Sequence, residues 1–337
     1  MVSSPWINAS SAYQLLACPQ RWLESAAPSG RTKKRPANLA GSTAAQVSGT
    51  LVHRSVEYWI NSGLWRDPQS DRMIVDQFRV SAEAEGLPLG RTRILAASLE
   101  TRLQDLRSVL DVRITGASAE EEVADDETRI RGKIDIFCTG PDYAAVIDIK
   151  TGRTTDDEGE FLKEITTQLA VYCWLIRAIS PLPKAVIVSI GKGVRELPMT
   201  SDFADSTISQ LIEARSQAML NPVTKPADDA CRFCALRPVC GPHWAEVSAG
   251  KITDAVEGVV TRVEPGAGGQ FMIQLESKAA TLVLRILENA TIDGSLTVGA
   301  NLRAVRVRQK EPDSGRWIGR DSAAIYCVEG AFENAFS

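Results

Sequence analysis

From Ile130 to Lys150 apolar and polar residues alternate along the chain, a period of two that predicts half-buried strands. Two runs, IRGKIDIF and YAAVIDIK, flank the turn sequence Gly140-Pro141-Asp142 and read as a hairpin. Because residues two apart in a strand share a face, Lys133 and Asp135 stand on one side of the first strand, with Ile134 and Ile136 on the other. In the second strand Asp148 and Lys150 share a face, while Ile147 and Ile149 turn to the core. Strand-like alternation begins near residue 117.

Elsewhere the apolar spacing is helical. Tyr13, Leu15, Leu16, Trp22 and Leu23 predict a helix over about 5–25 with Cys18 inside it, and Leu51, Val52, Val56, Trp59 and Ile60 form a buried stripe with His53 beside it. Further helix is expected to about residue 112, broken at Pro88 and Gly90. A helix over about 158–179, ended by Pro181 and Pro183, leads to the apolar run AVIVSI. That strand, helix and strand make a crossover unit of a mixed α/β sheet. Another helix is expected over about 202–220. After Gly250 the pattern changes to AVEGVVTRV, GQFMIQL, ATLVLRIL, NLRAVRVR and AAIYCVE, five short strands with Gly-rich corners, which fit a small closed or nearly closed barrel, OB-like in kind. The expected fold is therefore α/β, a mixed β-sheet flanked by helices over residues 1–248, followed by a small β-barrel over 249–337.

Composition narrows the possibilities only a little. The chain has 337 residues, 44% of them hydrophobic, enough for roughly two domains. No run approaches the roughly 20 apolar residues of a membrane span, and the first residues lack a secretory pattern, so the expected address is cytoplasmic with no membrane partner. A formal net charge of −4 does not suggest a protein that coats nucleic acid nonspecifically, though by itself it decides little. A metal site with a small basic groove remains compatible with it. The absence of a Gly-rich phosphate loop ending in Lys-Ser or Lys-Thr means the chain shows no motor motif. Residues 26–41 are rich in Pro, Gly and Ser and carry Arg31, Lys33, Lys34 and Arg35, a loop suited either to solvent or to phosphate contact.

The hairpin carries the chemistry. Asp135 and Asp148 can meet near one spot with Lys150 beside them. Hard oxygen ligands bind Mg²⁺ or Mn²⁺, and an adjacent ammonium stabilises charge, which is what phosphodiester hydrolysis needs. The bland alternative is a surface hairpin with solvated charges. His53, beside an apolar stripe, is either a packed side chain or a ligand.

In order along the chain stand Gly49 to His53 as G-x-x-x-H, Gly132 to Asp135 as G-x-x-D, then IDIKTG, and Gln168 to Tyr172 as a helical Q-x-x-x-Y. From about residue 8 to 244 this arrangement resembles the RecB-like branch of the PD-(D/E)XK nuclease superfamily, whose core is restriction-endonuclease-like. The resemblance implies that His53, Asp135 and Asp148 hold the divalent metal, that Lys150 is the catalytic lysine, and that Gln168 and Tyr172 lie near the active site and bound DNA. A further acidic residue is often found on the preceding strand of such proteins. Here Glu120, Glu121 and Glu122 compete for that place.

Cys231, Cys234 and Cys240, with Cys18 some two hundred residues earlier, are similar to the cluster-bearing members of that branch, AddB-type and CRISPR-associated exonucleases. There one N-terminal and three C-terminal cysteines hold a [4Fe-4S] cluster. A local zinc site of Cys231, Cys234, Cys240 and His243 is the rival reading. Cys138, Cys173 and Cys327 read as ordinary buried thiols. The barrel could bind a single strand through Arg303, Arg306, Arg308 and Lys310 with Phe271, Trp317 and Tyr326, or dock a protein.

The resemblance thus implies a metal-dependent deoxyribonuclease, an exonuclease on single-stranded DNA ends in repair or defence, working with a helicase or other complex partner. The alternatives are a non-catalytic DNA-binding or scaffold subunit with the same fold, and a zinc-stabilised nucleic-acid binder.

Overall fold

The computed structural model describes residues 4–26, 44–110, 114–141, 143–180, 183–226, 231, 234–266, 269–278, 280–287, 290–311, 314–328 and 330–332. The basic loop Arg31 to Arg35, Asp142 of the hairpin turn and Pro181 lie outside the described residues. The chain divides into two compact units, Met1–Leu16 with Ser42–Leu220, and Ala17–Gly41 with Asn221–Ser337.

In the first unit a short strand β1 (Ile7–Asn8) leads through a 3-10 turn into α1 (Ala12–Ala17). The expected single helix over 5–25 is therefore not continuous. Asn8 is extended, and the helix breaks at Cys18 before α2 (Pro19–Ala26), which belongs to the second unit, begins. Proline explains the break, since its ring disfavours helical geometry at the preceding residue yet suits the first position of a new helix. Three helices follow, α3 (Ala44–Asn61), α4 (Ser70–Ala84) and α5 (Leu89–Val109).

Strands β2 (Gly116–Asp125), β3 (Ile130–Gly140), β4 (Tyr143–Lys150), β5 (Lys184–Ser189) and β6 (Gly193–Leu197) complete a six-stranded mixed sheet with β1. The crossover between the parallel strands β4 and β5 is α6 (Lys163–Leu175), shorter at both ends than the periodicity predicts. Residues 151–162 form a loop closed by an Asp156 turn, in which the carboxylate accepts the N–H of Glu160 at 2.8 Å. Helix α7 (Ser201–Leu220) closes the unit. Its main core packs α3, α4 and α5 against Ile136, Ile147, Ile149, Val186 and Val188 of the sheet. The isoleucines flanking the hairpin's charged residues are thus the buried ones, as alternation requires.

The sheet topology leaves a gap at one place. Strand β2 pairs with β3 along its whole length, from Gly116↔Thr139 to Asp125↔Ile130. On the opposite edge β4 pairs only from Gly140↔Tyr143 to Ile136↔Ile147, and β1 pairs at Ile130 and Arg131. Between these stretches β3 and β4 diverge, at Asp135 and Asp148.

In the second unit α8 (Gly241–Ser248) precedes a closed barrel. Strands β7 (Ala255–Pro265), β8 (Phe271–Glu276), β9 (Thr281–Ile286), β11 (Asn301–Gln309) and β12 (Arg316–Val328) form a ring in the order β12-β11-β7-β8-β9, closed by parallel pairing of β9 with β12. All five predicted runs are strands. The sixth, β10 (Thr291–Asp293), was too short for an alternation signal and pairs with β12. Ile273, Leu275, Leu284, Ile286, Leu302 and Ile325 fill the barrel. Among the described residues no helix is long and apolar enough to cross a membrane.

Candidate active site

Where β3 and β4 part, the backbone N–H of Ile149 has no strand partner on β3. Asp135 Oδ2 accepts it instead, at 2.7 Å. This fixes the carboxylate from one strand between the two charged residues of the other. Asp135 Oδ1 faces His53 Nδ1 at 3.4 Å, and the imidazole is carried there by α3, whose Leu51, Val52 and Val56 are buried. Burial by itself would lower the pKa of His53, but the hydrogen bond and charge of Asp135 together raise it above the ordinary value.

The third member of the group is Glu120. Its Oε1 is 3.9 Å from His53 Nδ1, its other oxygen pairs with Lys133 Nζ, and ligand atoms of His53, Glu120 and Asp135 all lie within 4.8 Å of one another. Sequence reasoning left three glutamates in competition, and the hairpin register decides among them. Pairs Ala119↔Ile136 and Glu121↔Ile134 set Glu120 opposite Asp135, and opposite residues of an antiparallel pair share a face. Ala117, Ala119 and Val123 already mark the apolar side of β2, a signal that excludes Glu121. Glu120 also has φ 59°, a left-handed conformation that a non-glycine residue seldom adopts and that strain-bearing functional positions often show.

Asp148 is completely buried, at 0% exposure. Lys150 Nζ donates to its Oδ1 at 2.9 Å and stands 2.8 Å from Oδ2. Oδ2 nevertheless has no partner in hydrogen-bonding geometry among the described residues. Burial raises the Asp148 pKa to about 6, with Lys150 opposing the shift and Asp135 adding to it. A buried carboxylate costs free energy unless cations or donors complete it, and Lys150 is the cation beside both oxygens.

Helix α6 closes the site from the other side. Lys150 Nζ also donates to Gln168 Oε1 at 3.0 Å, Gln168 Nε2 donates to Tyr172 Oη at 2.9 Å, and Tyr172 Oη donates to the carbonyl of Lys133 at 2.6 Å. Burial pushes the Tyr172 pKa upward, so the phenol stays a donor. Gly132 is what lets the ring in: a Cβ there would stand 2.5 Å from Tyr172 Cε1. His53, Asp135, Lys150, Gln168 and Tyr172 line one open cavity of about 830 Å³. The structure thus brings every residue expected at the catalytic site into one neighbourhood, and adds Glu120.

A second constellation lies wholly in the second unit. Cys18, Cys231, Cys234 and Cys240 line one small cavity with His243. The thiols are near enough for their charges to interact, and burial raises Cys240 to about 12 against the lowering effect of the His243 backbone N–H. Cys234 is raised by burial too, with the Leu236 N–H opposing. Buried thiols with backbone donors aimed at them suit a bound cationic centre that takes thiolate ligands. Cys138, Cys173 and Cys327 are each buried and raised, to about 12, 12 and 11, in keeping with unreactive core thiols.

Of the barrel cations proposed for a nucleic-acid face, Arg303 does not qualify. At 4% exposure it donates to Glu257 at 2.5 Å and to the Pro238 carbonyl at 2.5 Å, and its guanidinium lies over Trp244 and Phe332. A strand residue in a barrel alternates between faces, and Arg303 is on the covered one. Arg306 is half-buried beside Tyr326, with its pKa lowered by burial, whereas Arg308 and Lys310 are exposed.

Comparison with known proteins gives one family match: the model of the PD-(D/E)XK nuclease superfamily covers residues 7–241. The solved structure of SSO0001 is similar at 17% identity over 58% of this chain and 97% of that one, with a TM-score of 0.29. No curated protein matches the chain.

Proposed function

Since the chain belongs to the PD-(D/E)XK nuclease superfamily, we propose that it is a RecB-like, Mg²⁺- or Mn²⁺-dependent deoxyribonuclease acting as an exonuclease on single-stranded DNA. The observation that carries this reading is that His53, Asp135 and Lys150 line one cavity, with the buried carboxylate of Asp148 paired to that lysine. Carboxylate oxygens and one imidazole suit a hard divalent ion. His53, Glu120, Asp135 and Asp148 would hold it.

When bound there, such an ion supplies Lewis acidity at the scissile phosphate and favours hydroxide over water nearby. The protein's own part is positioning. Lys150, a three-donor ammonium, spends two donors on Asp148 and Gln168 and keeps one for the attacking water or a phosphoryl oxygen. Gln168 and Tyr172 hold that ammonium against the sheet, so its charge needs little reorganisation as negative charge develops. Asp148, once ionised, balances the charge of Lys150.

The same reading assigns a [4Fe-4S] cluster to Cys18, Cys231, Cys234 and Cys240. What supports it is that all four cysteines line one small cavity, and four thiolates is the ligand number such a cluster takes. Functionally we divide the chain at 248, with the nuclease domain and its cysteines before it and an OB-like barrel after it. A helicase or defence complex in the cytoplasm is the proposed partner, because the chain has no phosphate loop to drive unwinding.

End-labelled single- and double-stranded DNA incubated with Mn²⁺ or EDTA, for the wild type and Asp148→Ala, tests the reading. Expected is cleavage of the single strand that needs the metal and disappears in the variant. Equal cleavage by folded Asp148→Ala protein would remove the site from consideration.

A further inference from the structure

Strand β3 carries more charge on the site's face than catalysis uses. Counting back from Asp135 at every second residue come Lys133, Arg131 and, at the turn, Arg129, a step of about 6.8 Å each. Lys133 is engaged by Glu120. Arg129 and Arg131 have no carboxylate partner among the described residues. Both instead flank one aromatic ring: Arg129 Cζ is 5.1 Å and Arg131 Cζ 5.5 Å from the centroid of Trp6. Trp6 is half-buried and lines the same cavity as the catalytic residues.

This trio is held in place. Arg131 pairs with Asn8 across β1 and β3, and its Nε donates to Asn8 Oδ1 at 2.7 Å. Arg129 has φ 55°, and this left-handed corner is kept by the Ile7 N–H on its carbonyl at 3.0 Å and by Arg215 on the Thr128 carbonyl at 2.7 Å. Asp125 caps the same turn through the Thr128 N–H at 2.9 Å. Arg129 Nε is buried and has no hydrogen-bond partner among the described residues. Glu122 and Asp126 line the cavity as well and repel phosphate, so a bound strand must follow the β1–β3 side. On that side the neighbour of Arg131 is Asn8, and on β2 the residue opposite it is Ala124, so no acidic side chain stands directly across from the guanidinium.

We propose that Trp6, Arg129 and Arg131 form a nucleotide subsite that grips the strand next to the scissile phosphate. Arg131 takes a backbone phosphate, and an unpaired base stacks on the indole and guanidinium surface. Stacking on a side chain requires a base free of its duplex neighbours. The subsite thereby gives the cavity a preference for unpaired DNA at one nucleotide or two from the metal ligands. The inference deepens the nuclease reading and rests on it for the direction of the strand, but binding can be measured without cleavage.

The test uses the full chain with Asp148→Asn, and anisotropy of a labelled oligodeoxythymidylate and of a blunt hairpin duplex. Adding Trp6→Ala should weaken oligonucleotide binding by about 5- to 160-fold, the span for loss of one base–aromatic stack, and leave duplex binding essentially unchanged. Trp6→Phe, which keeps a ring in the same packing, should recover most of the affinity. Arg131→Gln should weaken both ligands and lower the salt slope by about one. Unchanged oligonucleotide affinity in folded Trp6→Ala, or no recovery by Trp6→Phe, overturns the subsite. The nuclease reading fails separately, if the wild type cuts nothing with Mn²⁺ while the Trp6 effect on binding persists.

Discussion

Asp135 Oδ2 accepts the backbone N–H of Ile149 at 2.7 Å, so the carboxylate of one strand replaces a missing strand-to-strand bond of the next. The side chain has a structural duty through Oδ2 and, in the proposed site, a second one toward the metal through Oδ1. They separate on substitution. Asp135→Asn keeps a carbonyl oxygen for the Ile149 N–H and should melt close to the wild type, yet lose metal-dependent cleavage by at least about a hundredfold, as expected when a charged ligand is removed. Asp135→Ala should lose cleavage and also about 1–3 kcal/mol of stability, because a buried donor is left unmade. Similar melting of the two variants would mean that the Ile149 bond contributes nothing.

Glu120 offers a sharper split. Its φ of 59° is natural for glycine and costs other residues about 1–3 kcal/mol. Glu120→Gly should therefore match or exceed the wild-type melting temperature while Mn²⁺ affinity and cleavage fall. Calorimetric Mn²⁺ titration beside a melting curve reads both. A Glu120→Gly protein that is less stable and still fully active would show that the carboxylate serves only Lys133.

Much of this was legible in the chain, and the reasons are local. Asp135, Asp148 and Lys150 could be set on shared faces because alternation along a strand is a covalent property, and Gln168 and Tyr172 because a helix brings residues four apart together. Glu120 depended on register between two strands, which β2 hints at only through Ala117, Ala119 and Val123. Trp6 and Asn8 were out of reach: a two-residue strand has no periodicity to read, and its pairing to Ile130 and Arg131 is purely tertiary. The same limit let Arg303 pass as a surface cation, since its cover comes from Trp244 and Phe332 far away in sequence.

Gly132 marks a place where the motif's glycine has a mechanical cause. With Cβ added, Tyr172 Cε1 at 2.5 Å and Ala9 Cβ at 3.0 Å must give way. Gly132→Ala should expel the Tyr172 ring, break its bond to the Lys133 carbonyl, and release Gln168 from Lys150. Overpacking of this kind costs about 1–3 kcal/mol, and cleavage should fall with it. The double variant Gly132→Ala with Tyr172→Ala restores space but not the bonds, so it should regain stability without regaining activity.

Protons compete with the metal. Asp148 titrates near pH 6 because burial opposes its charge, and His53 is raised by Asp135. In the proposed site both would be unprotonated as ligands, so protonation of either opposes a bound cation. Mn²⁺ affinity should fall as pH drops, first as His53 takes up its proton above the ordinary imidazole value and then through 6 as Asp148 does, by about tenfold per pH unit for each proton displaced. Proton release measured in two buffers of different ionisation enthalpy checks the count. Affinity independent of pH between 7 and 5 would exclude both groups as ligands.

Arg237 ties the cysteine loop to the barrel within the second unit, and its partner can be removed cleanly. The guanidinium is 1% exposed, makes a two-pronged pair with Asp254 through Nη1 at 3.1 Å and Nη2 at 2.5 Å, and donates from Nε to His243 Nε2 at 3.1 Å. That last bond requires the neutral imidazole, and burial holds His243 down to about pH 4. Asp254→Ala removes both carboxylate bonds of a buried guanidinium, and breaking a buried pair costs about 3–5 kcal/mol. Arg237 lies between Cys234 and Cys240, so the loss should fall first on the loop that carries them. Expected are a lower melting temperature and, for the proposed cluster, iron lost faster to a chelator, with Asp254→Asn intermediate because one acceptor remains. Should Asp254→Ala melt early yet keep its iron as long as the wild type, the loop's hold on the cluster would not depend on this ion pair.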